Sequence, residues 1–236
     1  MGLCKSKLTP QLLAAARSGD TEEVRNLHAA GVDLEAVTSK SGSERALFAA
    51  ATNGHADTCR VLVELGANLE AANVMGYTAL TIAVKKGHED TVRVLAELGA
   101  NLEVADDTDK QTPIWIAAEW GRASMVRLLA ELGADIEAAD NSGSTPLWVA
   151  ASKNLEMAMC ALAELGADLT TPGNKGYGHK NGQTPLEVAV EKGNDECAKA
   201  LRRLIAAAAK GKAPSGAKGP AADGPIRRVE RTHSAA

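Results

Sequence analysis

Aromatic side chains are scarce in this sequence, with three tryptophans, two tyrosines and one phenylalanine in 236 residues. Alanine is abundant in their place, which suits helices packed closely, layer on layer. Cysteine is scarce as well. Cys59, Cys160 and Cys197 fall in helical segments of different units, too far apart to pair, and the set suits a reducing compartment rather than a disulfide framework. No apolar run approaches the length of a membrane span, and residues 12–16 are too short and helix-like for a secretory h-region. Catalytic signatures are missing too: there is no phosphate loop, no HExxH, no paired CxxC and no nucleophile elbow. His55 and Cys59 stand four apart on one helix, but a closed metal site needs more ligands and none is evident nearby. The expectation is a non-enzymatic chain with no metal and no cofactor.

Charge is unevenly spread. The formal net charge is −4, yet the last 27 residues carry Lys210, Lys212, Lys218, Arg227, Arg228 and Arg231 against Asp223 and Glu230. The remaining body is therefore acidic, which argues against a nucleic-acid partner, whose binding footprint would be basic. Residues 211–236 are rich in Gly, Pro, Ala and cations, lack an apolar pattern, and are expected to be disordered.

What is present is a repeated unit, clearest at residues 112–140. Thr112 is a helix N-cap and Pro113 suits the first helical position, where no N–H partner is needed. Ile114, Ile116, Ala117 and Ala118 make a short apolar helix that Gly121 can end. A second helix places Val126, Leu129 and Leu132 on one stripe, and Gly133 ends it. Such a unit cannot bury its apolar surface alone and has to stack on copies of itself.

The copies are there. TPLWVAASKN begins at Thr145, TALTIAVKKG at Thr78 and RALFAAATNG at Arg45, with PQLLAAARSG from Pro10 and TPLEVAVEKG from Thr184 flanking them. The second-helix endings agree independently: ELGANLEAAN, ELGANLEVAD, ELGADIEAAD and ELGADLTTPG. A period near 33 residues with the core T-P-L-x-x-A-A-x-x-G resembles the ankyrin repeat over about residues 9–209. The resemblance implies an all-α solenoid of about six stacked helix pairs with projecting β-hairpin loops and a concave binding face. Departures are local: Trp115 and Trp148 stand where the family usually has His, Arg45 replaces a capping Thr, and Asn154 replaces a helix-ending Gly. Residues 10–36 and 184–210 read as the two caps, each with a polar outer surface.

In this family the finger tips and the last residues of each first helix line the concave side, where a protein partner binds. Carried onto this chain, the tips are Val74, Met75 and Tyr77; Thr108, Asp109 and Gln111; Asn141, Ser142 and Ser144; and Lys180, Asn181 and Gln183. The helix positions are Thr52 and Asn53, Lys85 and Lys86, Glu119 and Trp120, Ser152 and Lys153, and Glu191 and Lys192. Trp120 reads either as an exposed interface anchor or as packing for a neighbouring finger. Trp115 and Trp148 read as packing between repeats. His55 and His88 follow a helix-ending Gly, as His commonly does in the family, where it serves the interhelical turn. Residues 171–183 break the period by about six residues and form an extended, glycine-rich finger, in which Tyr177 and Lys180 belong to a basic-aromatic tip. That finger is either a binding loop or a tolerated insertion.

The first eight residues, MGLCKSKL, carry a different signal. Met1-Gly2-x-x-x-Ser6 fits N-myristoylation, Cys4 could take a palmitoyl chain, and Lys5 and Lys7 add positive charge. One acyl chain holds a protein on a membrane only marginally, whereas two signals make a stable anchor. The expected organisation is an anchor over residues 1–8, repeats over 9–210 and a basic tail. The expected role is a monomeric protein-interaction scaffold, cytoplasmic and peripheral on the inner face of the plasma membrane or an endomembrane. The alternative is a soluble ankyrin-type regulatory or inhibitory subunit of an enzyme, without lipid.

Overall fold

A computed structural model describes residues 5–37, 44–173 and 182–210, the side chains of 5–7 excepted. Among these residues the structure is twelve helices. They alternate as first and second helices of six pairs: α1 (Lys5–Ser18) with α2 (Thr21–Ala29), α3 (Ala46–Thr52) with α4 (Ala56–Glu64), α5 (Ala79–Lys86) with α6 (Glu89–Glu97), α7 (Pro113–Glu119) with α8 (Ala123–Glu131), α9 (Pro146–Ser152) with α10 (Glu156–Glu164), and α11 (Pro185–Glu191) with α12 (Asp195–Ala209). The first helices stack in chain order from α1 to α11, and the second helices form a second row.

The inner helices, α2 to α11, are seven to nine residues long, and several of their ends are specified locally. Thr78 and Thr145 accept hydrogen bonds from the backbone N–H three residues on, and Thr184 with Glu187 makes a complete capping box. Thr112 departs from the expected side-chain cap. Its hydroxyl is buried and makes no hydrogen bond, so only its carbonyl serves the helix, accepting from Ile116 N at 3.0 Å. Arg45, in the capping place of α3, makes no cap bond either. Its guanidinium reaches Ala72 O at 3.0 Å within its own repeat and Glu35 at 3.0 Å in the preceding one. Asn154 takes φ +60°, the left-handed conformation that glycine adopts in the other repeats. At the N-terminus, α1 begins at Lys5, inside the segment expected to be anchor. Its first turn precedes Pro10, whose missing N–H leaves the carbonyl of residue 6 without a helical donor.

The core is one continuous file of small and branched side chains. Leu12, Leu62, Leu80, Leu95, Ile114, Leu129, Leu147, Leu162 and Leu201 are all fully buried, one or two per pair. Alanines at 49–51, 117–118 and 150–151, also fully buried, let the first helices approach closely.

Two polar ladders register the stack. Glu35, Glu70, Glu103 and Glu137 each accept the backbone N–H of Asn68, Asn101, Asp135 and Asp168 in the next repeat, at 2.8, 2.8, 2.9 and 2.7 Å. The following position is Thr170, so the ladder ends before the insertion. The second ladder runs through the turn between paired helices. His55 Nε2 meets Arg17 O at 2.8 Å, His88 Nε2 meets Thr52 O at 3.0 Å, and Arg122 donates to Lys85 O at 3.0 Å. Each of these side chains lies against the glycine of the preceding repeat, and a Cβ on Gly54 would sit 2.7 Å from His88 Nδ1.

The second-helix row is not uniform. Ion pairs Arg60–Glu97 (3.0 Å) and Arg127–Glu164 (2.6 Å) link successive second helices, but Arg93 and Glu131, at the matching places, form none. The junction of α6 with α8 also lacks the close backbone packing of its neighbours. Two sequence changes coincide there: one additional finger residue, with Lys110 at φ +59°, and Arg122 in the slot His occupies earlier.

Candidate interaction surface

One side chain folds each finger. Asn73 Oδ1 accepts from Met75 N (2.9 Å) and Tyr77 N (3.0 Å). Asp106 Oδ1 accepts from Asp109 N (2.9 Å) and Gln111 N (3.3 Å), and Asp140 Oδ1 from Ser142 N (2.9 Å) and Ser144 N (2.8 Å). One backbone bond spans the base of each turn, from Asn73 N to Tyr77 O at 3.0 Å, Asp106 N to Gln111 O at 3.1 Å and Asp140 N to Ser144 O at 3.1 Å, and the first and third turns are tightened by Gly76 N to Asn73 O and Gly143 N to Asp140 O, both at 3.0 Å. These are tight turns, not the β-hairpins expected, because a single bond across the base of each finger is too short a ladder for strands. Among the described residues no strand forms; the base of the inserted finger is an isolated antiparallel bridge, Gly173 with Gln183. Neighbouring fingers are tied through Asp107 N to Met75 O (3.0 Å) and Asn141 N to Asp109 O (2.8 Å), so the row is one surface.

That surface meets the ends of the first helices at a three-residue cluster. Lys85 Nζ lies 4.7 Å from the Tyr77 ring centroid and 5.8 Å from that of Trp120, and 3.4 Å from Tyr77 Oη. Each cation–π contact is worth about 0.5–1 kcal/mol at an exposed site, so the pair positions the ammonium without locking it. Trp120 is 53% exposed, and Val74 and Met75 on the adjoining tip are 68% and 51% exposed. These are three of the six large apolar residues exposed among the described ones, and all three lie on the finger side.

The other expected site residues divide by what their polar atoms do. Lys86, Asp109 and Asn141 are exposed, and Gln111 and Ser142 are half-buried. Glu119 and Lys153 pair at 2.8 Å. Gln183 donates to Glu191 and, through its carbonyl, accepts from Trp148 Nε1 at 2.7 Å. Two expectations are corrected. Ser144 is buried: its carbonyl accepts Trp115 Nε1 at 2.9 Å, and Gly173 packs so closely on it that a Cβ there would lie 2.9 Å from Ser144 Cα. Ser152 is buried with its hydroxyl turned back onto Val149 O at 3.0 Å, so it presents nothing to a partner. Gly2, Cys4, Tyr177, Lys180 and the basic tail lie outside the described residues.

His55 and Cys59 do not converge on a ligand. The His55 ring serves the inter-repeat ladder, and burial pushes the Cys59 thiol up to about 12. No group of His, Cys, Asp and Glu among the described residues could hold a metal. Asn73, Asp106 and Asp140 were missed by sequence reasoning, although a shared place just before each finger was a signal that could have found them.

A model of three ankyrin repeats matches residues 12–106 and again 98–173, and a single-repeat model matches 181–210. The chain belongs to the ankyrin-repeat family. As in ankyrin-repeat proteins generally, the implied activity is protein–protein interaction, which accords with an exposed apolar row. No curated protein matches the chain.

Proposed function

We propose that this ankyrin-repeat chain is a non-enzymatic scaffold that captures a protein partner along its finger side, at Val74, Met75, Tyr77, Lys85 and Trp120. The observation that carries the reading is the gathering of exposed Trp120, Met75 and Val74 on a rigid row of mutually bonded fingers. Aromatic anchors on pre-organised surfaces supply most of the energy of typical interfaces. Comparative pull-down with wild type, Trp120→Ala and Met157→Ala tests it. Met157 is 76% exposed on α10, in the second-helix row, and serves as the control. Loss of the same partners from both variants would refute the reading.

The proposal extends to location: myristoylation of Gly2 and palmitoylation of Cys4 tether the scaffold to the cytoplasmic face of a membrane. Its support is the sequence MGLCKSK, which combines two acylation positions with two lysines. Intact-mass spectrometry of the expressed protein and fractionation of Gly2→Ala and Cys4→Ser variants test it. Absence of an acyl mass on Gly2, or unchanged membrane association of both variants, would leave the soluble regulator as the standing alternative.

A further inference from the structure

Six residues occupy equivalent places near the end of the first helices: Arg17, Thr52, Lys85, Glu119, Ser152 and Glu191. Five use their polar atoms inside the chain, and Arg17, the other cation of the set, is paired with Glu44. Thr52 donates to Phe48 O at 2.8 Å and Ser152 to Val149 O at 3.0 Å, while Glu119 is neutralised by Lys153 and Glu191 accepts from Gln183. Lys85 differs. Its ammonium is held between two aromatic faces and a phenol oxygen, and no carboxylate among the described residues comes within ion-pair distance. Half-burial fixes the stem, so a positive charge is positioned on the finger side without its countercharge. Lys86 next to it is exposed and adds a second cation.

We infer that this cluster receives a short acidic–apolar segment of the partner, whose carboxylate ion-pairs with Lys85 while a neighbouring apolar side chain lies on Trp120 and Met75. The inference rests on the finger side being the interaction surface, and it adds the chemistry of what binds there. Charge complementarity selects the occupant. A basic segment would meet Lys85 and Lys86 head-on. A neutral apolar one would cover the ammonium and strip its water without replacing it, which is unfavourable. A carboxylate can approach the ammonium while the ring contacts persist, so the aromatic pair acts as a pre-organised mount.

Selection from a displayed random linear peptide library on the whole chain tests this, with Lys85→Met, Lys85→Glu, Trp120→Ala and Met75→Ala alongside and folding checked by circular dichroism. The expected result is enrichment of Asp or Glu beside Leu, Met or Phe. Affinity for the selected peptides should fall by about tenfold or more on Lys85→Met, as loss of a hydrogen-bonded charge pair implies. Lys85→Glu should remove the acidic preference. Peptides that lose binding on Trp120→Ala but carry no acidic residue, or that ignore Lys85→Met, overturn the inference and leave the interaction surface standing. A failure to enrich any peptide that depends on Trp120 or Met75 overturns both.

Discussion

At the residue scale, the two buried tryptophans show how a substitution is absorbed by the stack. Trp148 packs between repeats and donates Nε1 to Gln183 O at 2.7 Å, across the base of the insertion. Replacing it by Phe keeps most of the apolar contact and removes the donor, which should cost about 1–2 kcal/mol in urea unfolding. That Trp115 and Trp148 are structural was legible in the sequence. Their acceptors were not, because they are backbone carbonyls 29 and 35 residues away whose positions depend on stacking. Asp168 gives a pH-dependent test. Hydrogen bonds from Thr170, through its hydroxyl and its N–H, and from the Thr171 hydroxyl hold its carboxyl below the usual aspartate range. The unfolded chain therefore takes up that proton first on acidification. The stabilisation is present above the ordinary aspartate pKa of about 3.9 and is lost as pH falls through the lower folded value. An Asp168→Asn variant should lose stability at neutral pH and show a flatter acid limb. Parallel acid limbs for wild type and variant would contradict this.

At the element scale, helix ends rather than helix interiors govern the fold. The glycines that end first helices were readable from the repeat, but the reason Gly54 cannot change was not, since it involves the His88 ring of the next repeat. Gly54→Ala combines φ +78° with a Cβ 2.7 Å from His88 Nδ1, so it should destabilise by more than the roughly 1–2 kcal/mol of the backbone conformation alone. Thermal unfolding of the variant measures this. The additional finger residue at 106–111 was equally visible as a 34-residue spacing, yet its consequence is seen only between helices: α6 and α8 lack the packing and the Arg–Glu pair of neighbouring junctions. Because a repeat stack is stabilised chiefly by nearest-neighbour interfaces, the weakest junction should divide it. Hydrogen exchange should therefore show α1–α6 and α7–α12 opening as separate cooperative blocks. Uniform protection across the α6–α8 junction would contradict that division.

At the scale of the whole molecule, stacking builds a long ordered face on which three of the six exposed large apolar residues among the described ones are gathered. The family, the helix pairs and the finger row were legible because the repeat makes each position recur several times. The composition of the site was only partly so. Trp120 read either as an exposed anchor or as packing for a finger, and Ser144 and Ser152 look like surface serines until the stack is seen to bury them, with the Ser144 carbonyl accepting from Trp115 and the Ser152 hydroxyl donating to Val149. The central claim is that partners engage the finger side and leave the second-helix side free. A photo-crosslinking amino acid placed in turn at Val74, Asn141 and Met157 of the full chain in its native cell, with the adducts identified by mass spectrometry, tests this most directly. The account predicts the same protein adduct from Val74 and Asn141 and none from Met157. A partner captured at Met157 and absent from both finger positions would contradict it.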